Sequence, residues 1–241
     1  MKHTLSSFAA VALVTAFSIA KAAAVIIVPG ISDPWLAGMP DGSTASGADV
    51  APTHSPVFAT AVTGGDVLTF EVTGAVSFTP SCCPASLTPD GNPGTGSHFA
   101  GAENGISNVL APFNSMIGVF LSDAQPDAMP APDTLDFSPG GLTLDFLTLS
   151  PELQQAFFIG DGKTSADVVQ QFTAPTGATR LFLGTMDGFG WFNNSGEFQV
   201  TINGATTGPG PDPDPVGVSE PAPLGLLLLA SLGILALRRK K

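Results

Sequence analysis

One loop in the C-terminal half of the chain concentrates oxygen-donating side chains. It lies in the stretch LFLGTMDGFGWFNNSGEFQVTI, where Asp187 offers a carboxylate and Asn193 and Asn194 offer amide oxygens. Gly188 and Gly190 would let the backbone curl so that a carbonyl points inward. Calcium prefers several hard oxygens of these kinds at about 2.3–2.6 Å. The pattern favours a calcium site, although the same residue types also build ordinary hairpin loops.

This stretch resembles the C-terminal part of the PA-I-type galactose-binding bacterial lectins, which are small β-sandwiches with one calcium ion bridging protein and sugar. The resemblance is carried by Asp187 and the Asn-Asn-Ser-Gly run 193–196, with a loop one residue shorter, so that Gly190 or Trp191 would supply the loop carbonyl. The run Gly-Ala-Val-Ser-Phe-Thr-Pro is similar to a family strand whose aromatic residue, here Phe78, binds calcium through its carbonyl. The implied calcium ligands are Asp187, Asn193, Asn194, Phe78 and Gly190.

The same resemblance implies a sugar site beside the ion. A Thr-Pro-Asp-Gly run containing Asp90 lies where the family has a His-Pro-Asp-Gln run that contacts sugar, and His98 follows in the same loop. An aromatic ring, Trp191 or Phe189, could stack on a sugar face. The predicted sugar-binding residues are Asp187, Asn194, Trp191, Asp90 and His98.

The charge of the chain is distributed unevenly. All but one of the 20 acidic residues lie between the two ends of the chain, but of the eight Lys and Arg residues only Lys163 and Arg180 do. This argues against nucleic-acid binding, which needs basic patches to neutralise phosphates. An acidic domain favours divalent cations as partners, although the acidity could also serve solubility alone.

The first 22 residues have the features of a secretory signal peptide. Lys2 and His3 precede an apolar run from Phe8 to Ala20, which is short for a membrane span. The small-x-small pattern that ends at Ala22 predicts cleavage there, and an uncleaved anchor is the alternative. We therefore expect an exported protein.

The C-terminal end combines three parts in order. A Pro/Asp/Gly-rich linker at 204–217 precedes the Ser-Glu-Pro run 219–221, an apolar run at 222–237 and a basic end. This order resembles the PEP-CTERM sorting tail, and a plain C-terminal anchor is the alternative. The resemblance implies an exosortase as partner, inner-membrane anchoring until processing, and then a place at the cell surface or in a polysaccharide matrix. The sorting residues would be Ser219, Glu220, Pro221, Arg238 and Arg239.

The body of the chain, 23–203, reads as one all-β domain. Abundant glycine (28) and proline (22) with short apolar runs predict a β-sandwich or jelly roll with long loops, flanked by the signal helix and the C-terminal hydrophobic helix of 218–241. A single helical turn could lie within 148–155. The predicted strands are 25–28, 57–62, 67–72, 76–78, 116–121, 156–159, 168–172, 179–183 and 197–202.

Two further features bear on chemistry. Cys82 and Cys83 are adjacent, so an exported chain could form a vicinal disulfide, keep two free thiols or bridge to another molecule. His54 and His98 are the histidines of the mature chain, and no nucleophile elbow, zinc motif or phosphate loop accompanies them. We expect no enzyme, but a calcium-dependent carbohydrate-binding protein or, alternatively, a structural component of an exopolysaccharide matrix.

Overall fold

The structure is a computed structural model that describes residues 24–78 and 86–204. The predicted signal segment 1–22, nearly all of the linker 204–217 and the tail 218–241 lie outside the described residues. Cys82 and Cys83 lie outside them as well, so the expectations for all these segments stay predictions. In the described part of the chain, no helix is long and apolar enough to cross a membrane.

The described residues form short strands joined by turns and 3-10 helical turns. In chain order the strands are β1 Ile26–Pro29, β2 Thr44–Ala45, β3 Asp49–Val50, β4 Val57–Ala61, β5 Val67–Ser77, β6 Gly96–Ser97, β7 Val109–Ala111, β8 Met116–Leu121, β9 Leu135–Asp136, β10 Thr148–Leu149, β11 Ala156–Phe158, β12 Gln171–Thr173, β13 Arg180–Thr185 and β14 Ser195–Asn203. The 3-10 turns are Pro34–Leu36, Ser46–Ala48, Pro126–Ala128 and Trp191–Asn193.

Two sheets make the body of the domain. One has the order β1-β14-β5-β12-β10, and the other has the order β11-β8-β13-β4. Side chains of both sheets share one hydrophobic core, in which Phe157 of β11 and Phe172 of β12 lie with ring centroids 5.7 Å apart. This arrangement confirms the predicted all-β class and is a sandwich of two packed sheets.

Alternation along β5 shows why the chain folds this way. Leu68, Phe70 and Val72 point into the core, whereas Val67 and Glu71, which alternate with them, are exposed, as the two-residue period of a strand requires. In β8 all six residues are buried, which fits its unbroken apolar sequence. Burying one such aromatic or aliphatic side chain contributes roughly 1.5–3 kcal/mol to the free energy of unfolding.

Most predicted strands are confirmed with small shifts in their ends. The predicted strands 67–72 and 76–78 form the single strand β5, because Gly74 continues the ladder at a φ of +100° beside the backbone of β14. The prediction of a strand at 168–172 is wrong at its start, since β12 begins at Gln171. The helical turn considered for 148–155 is wrong too, because Thr148–Leu149 form β10, which pairs in parallel with β12, and Gln154 has a φ of +65°.

The segment 29–54, predicted as mostly loop, is more ordered than its composition suggested. It contains the turn Pro34–Leu36 and the small hairpin of β2 and β3. Trp35 and Asp49 of this segment are fully buried. The segment therefore belongs to the core at one end of the sandwich, which is the end that carries the predicted site.

Candidate functional site

Three of the predicted calcium ligands line one open cavity of about 260 Å³. Phe78, Asp187 and Asn193 lie on its wall. The register brings them together, because β5 ends at Ser77 opposite Ser195, the first residue of β14. The wall also includes Gly188 and the aromatic residues Phe99, Phe113 and Phe189.

Asp187 lies on the floor of this cavity, two residues beyond the end of β13, and is only 8% exposed. Its Oδ1 accepts hydrogen bonds from the N–H groups of Gly188 at 2.5 Å and Phe189 at 3.4 Å. Burial raises the pKa of Asp187, and hydrogen bonds from Asn194 and these two N–H groups offset part of that effect. A buried carboxylate of this kind gains from a cation.

Asn194 is the fourth predicted ligand and lies beside Asp187. Its Nδ2 donates to the carbonyl of Gly30 at 3.1 Å, which fixes the orientation of the amide. Its Oδ1 is buried and has no hydrogen-bond partner among the described residues. Because buried amide oxygens are normally satisfied, this atom is a candidate ligand for a cation.

The fifth predicted ligand, Gly190, is not on the cavity wall. It adopts a φ of +83° and packs against Gly47. Trp191, the alternative for the loop carbonyl, uses its carbonyl oxygen to accept from the N–H of Asn194 at 2.9 Å. Within residues 24–78 and 86–204, no group of three His, Cys, Asp or Glu side chains could hold a metal ion, so an ion here would depend on amide and carbonyl oxygens.

Two predictions for the sugar site are wrong because the side chains are buried. Trp191 is fully buried, and its Nε1 donates to the carbonyl of Thr185 at 2.8 Å, so it cannot stack on a sugar. His98 is 1% exposed and stacks on Trp35 with ring centroids 4.1 Å apart. Both side chains instead pack on the buried side of the loop that carries Asp187.

The prediction that Asp90 belongs to the same sugar site is wrong as well. It lines two other cavities, of about 450 and 440 Å³, which it shares with Leu144 and Asp145. Its Oδ1 accepts from the N–H of Asp161 at 3.0 Å. The loop that carries Asp90 therefore does not bring this carboxylate to the wall of the Asp187 cavity.

A chain of hydrogen bonds connects the buried side of the Asp187 loop, through His98, to Glu103 and Ser46. His98 Nδ1 lies 3.2 Å from the carbonyl oxygen of Gly188, and His98 Nε2 lies 2.6 Å from Glu103 Oε2. Glu103 Oε1 accepts from the hydroxyl of Ser46 at 2.7 Å. Burial opposes ionisation of Glu103, but the hydrogen bonds from His98 and Ser46 prevail and lower its pKa.

The hairpin of β2 and β3 holds the other side of the loop. Asp49 Oδ2 accepts from the N–H of Trp191 at 2.8 Å, and Asp49 Oδ1 lies 3.4 Å from His54 Nδ1. Gly47 has a φ of +82° and leaves no room for a Cβ, since one there would overlap the backbone of Gly190. Glycine at position 47 therefore allows the two loops to approach each other this closely.

A fully buried carboxylate lies nearby. Asp33 Oδ1 accepts from the N–H of Trp35 at 2.9 Å, whereas its Oδ2 has no hydrogen-bond partner among the described residues. Burial raises the pKa of Asp33 well above its usual value, and Asp49, Glu103 and Asp187 add to the increase. Four acidic groups therefore lie close enough to interact at the end of the sandwich that carries the site.

Sequence reasoning missed the roles of five residues: Asp33, Asp49, Phe99, Glu103 and Phe113. Their partners are far away in sequence, for example 142 residues between Asp49 and Trp191, so no local spacing could reveal them. Comparisons with protein-family models, with curated proteins and with solved structures gave no match.

Proposed function

We propose that this chain is an exported surface protein whose sandwich domain binds calcium and, through it, carbohydrate. The cavity beside Asp187 supports this function, because a carboxylate, an exposed amide and exposed aromatic rings border the same space. It also favours binding over a purely structural role, since a spacer domain needs no open cavity at such a cluster.

The observation that carries the proposal is the unpartnered Oδ1 of Asn194. Asn194 hydrogen-bonds to the carboxylate of Asp187, and its own Oδ1 is buried, so both groups gain from a cation. Asp187, Asn193, Asn194 and the carbonyl of Phe78 would hold the ion. When bound, calcium would supply a Lewis-acidic point to which sugar hydroxyls can bind.

Each residue has a separate part in this proposal. Asp187 supplies the charge, and its hydrogen bonds from Gly188 and Phe189 fix the orientation of its carboxylate. Asn194 is fixed by Gly30, so its Oδ1 is preorganised. Asn193 is exposed on the wall and can contact both an ion and a hydroxyl.

Calorimetric titration of calcium into residues 23–208 tests the proposal. We expect a dissociation constant between about 10⁻⁶ and 10⁻³ M for the parent, the range of sensors and extracellular sites. Asp187→Ala and Asn194→Ala should lose the binding heat, while Asp133→Ala, an exposed aspartate away from the cavity, should keep it. No heat in the parent, or equal heat in all four proteins, would reject the calcium site.

We also propose that the chain is exported by residues 1–22 and sorted by its C-terminal tail. The support is the order of the sorting parts, Ser-Glu-Pro at 219–221, the apolar run and the basic end. Fractionation of cells that express the full chain, compared with Glu220→Ala, tests the sorting step. If the variant reaches the same compartment at the same length, the tail is a plain anchor.

A further inference from the structure

We propose that the Asp187 cavity selects neutral saccharides with an apolar face and rejects uronic acids. This inference rests on the proposed function and names the ligand class of the same site. Three features of the cavity support it: the aromatic rings at its border, its polar groups and its size.

Two phenylalanine side chains stand open to solvent at the cavity. Phe99 is 73% exposed and Phe189 is 55% exposed, although both are large apolar residues. Phe99 is held in place, because its N–H donates to the carbonyl of Gly188 at 2.8 Å and its ring covers the backbone of Gly188. Its ring meets that of Phe113 edge-on, at 6.2 Å between centroids. Fixed, exposed rings are suited to the C–H face of a sugar.

The polar groups at the cavity offer oxygen acceptors and no cationic side chain. Asp187 and Asn193 are its polar side chains. The body has two basic residues of the Lys and Arg type, and both are engaged elsewhere: Lys163 Nζ lies 2.6 Å from Asp167, and Arg180 donates to the carbonyl of Ser122.

A sugar carboxylate would therefore lose its hydration against aromatic rings without an N–H partner from Lys or Arg. The acidic groups behind the loop add to the cost, because Asp49 and Asp33 already interact unfavourably with Asp187. A neutral hydroxymethyl or methyl group at the same position carries no such penalty.

The size of the cavity points to a single sugar ring. Its volume of about 260 Å³ is below the roughly 300–1,000 Å³ of pockets for drug-sized ligands. An open cavity of this size fits a terminal residue of a glycan better than an internal stretch of a chain.

The test is titration of sugars into the calcium-loaded body, residues 23–208. Galactose and galacturonate form one pair and glucose and glucuronate another, and the members of each pair differ only at C6. We expect the neutral member to bind at least tenfold more tightly. Phe99→Ala and Phe189→Ala should weaken neutral-sugar binding by about two- to tenfold, the scale of one aromatic contact.

The matched control is Phe192→Ala. Phe192 is also 55% exposed and lies three residues after Phe189, but it is not on the cavity wall. It should keep parental sugar affinity, and all three Phe variants should keep parental calcium affinity. Uronates that bind as tightly as neutral sugars, or Phe99 and Phe189 variants that match Phe192→Ala, would overturn the inference and leave calcium-dependent sugar binding intact. A calcium-loaded body that binds no sugar would instead reject the proposed sugar-binding function itself.

Discussion

Asp49 Oδ2 accepts a 2.8 Å hydrogen bond from the backbone N–H of Trp191, across 142 residues of sequence. The bond joins the small hairpin of β2 and β3 to the loop that carries the proposed ligands. The segment 29–54 therefore contributes to the shape of the site.

Asp49→Ala should weaken calcium binding although Asp49 does not line the cavity. Loss of this buried acceptor leaves the N–H of Trp191 without its partner, at a cost of about 1–3 kcal/mol. We expect a lower melting temperature and at least a several-fold weaker calcium affinity by calorimetry. Asp41→Ala, an exposed aspartate of the same segment, is the control and should match the parent. Equal affinities in the two variants would show that the hairpin does not shape the loop.

Gly47→Ala should disturb the same loop by crowding. Its Cβ would overlap the backbone of Gly190, so one of the two loops must shift. Gly42 has a similar φ, +85° against +82°, but its added Cβ would meet no atom within 4 Å. Gly42→Ala thus carries the same backbone strain without the crowding. We expect faster amide hydrogen exchange at Phe189–Asn193 in Gly47→Ala, and parental rates there in Gly42→Ala.

Glu103→Gln should destabilise the domain in a pH-dependent way. The lowered pKa of Glu103 means that its ionised form stabilises the fold, in its hydrogen bonds to His98 and Ser46. This stabilisation is present above the unfolded pKa of about 4.3 and is lost as the pH falls through the folded value. At pH 7 the variant should lose about 1–2 kcal/mol of unfolding free energy in urea titrations. The difference from the parent should shrink below about pH 4.

Asp33→Asn should show the opposite dependence. The raised pKa of Asp33 means that its protonated form suits the fold, and stability falls as the pH rises through the folded value. The asparagine keeps an oxygen to accept from the N–H of Trp35 but carries no charge. We expect the variant to be more stable than the parent at pH 8 and equal to it near pH 4 in thermal unfolding. A lower stability than the parent at pH 8 would mean that a cation or a water network compensates the charge of Asp33.

The sequence was a good guide to strands with a regular pattern. The alternation of Leu68, Phe70 and Val72 and the apolar run of β8 predict their strands because burial follows those periods. Short strands such as β2 and β10 were missed, since two residues carry no period. Their positions depend on partners elsewhere in the chain.

The site was predictable only where the chain brings its parts together by strand register. Asp187, Asn193 and Phe78 meet because β13 and β5 end, and β14 begins, beside the same cavity. The roles given to Trp191 and His98 were wrong, because residue type suggests a ring near a ligand but not which side of the loop it occupies. That choice depends on the packing of Trp35 and the hairpin, which no local pattern encodes.

The register of β14 also shows which end of the long sheet carries the two chain ends of the domain and which end carries the cavity. Ile26 pairs with Val200, and Asn203 pairs with Thr69, so the chain enters and leaves at one pole of the long sheet. Ser195 and Ser77 pair at the other pole, next to the cavity. Eight strand rises separate the two, a span of roughly 25 Å. Any tether that continues from Asn203 would attach the domain at the pole opposite the cavity. The cavity would then lie at the end of the domain farther from the surface that carries it.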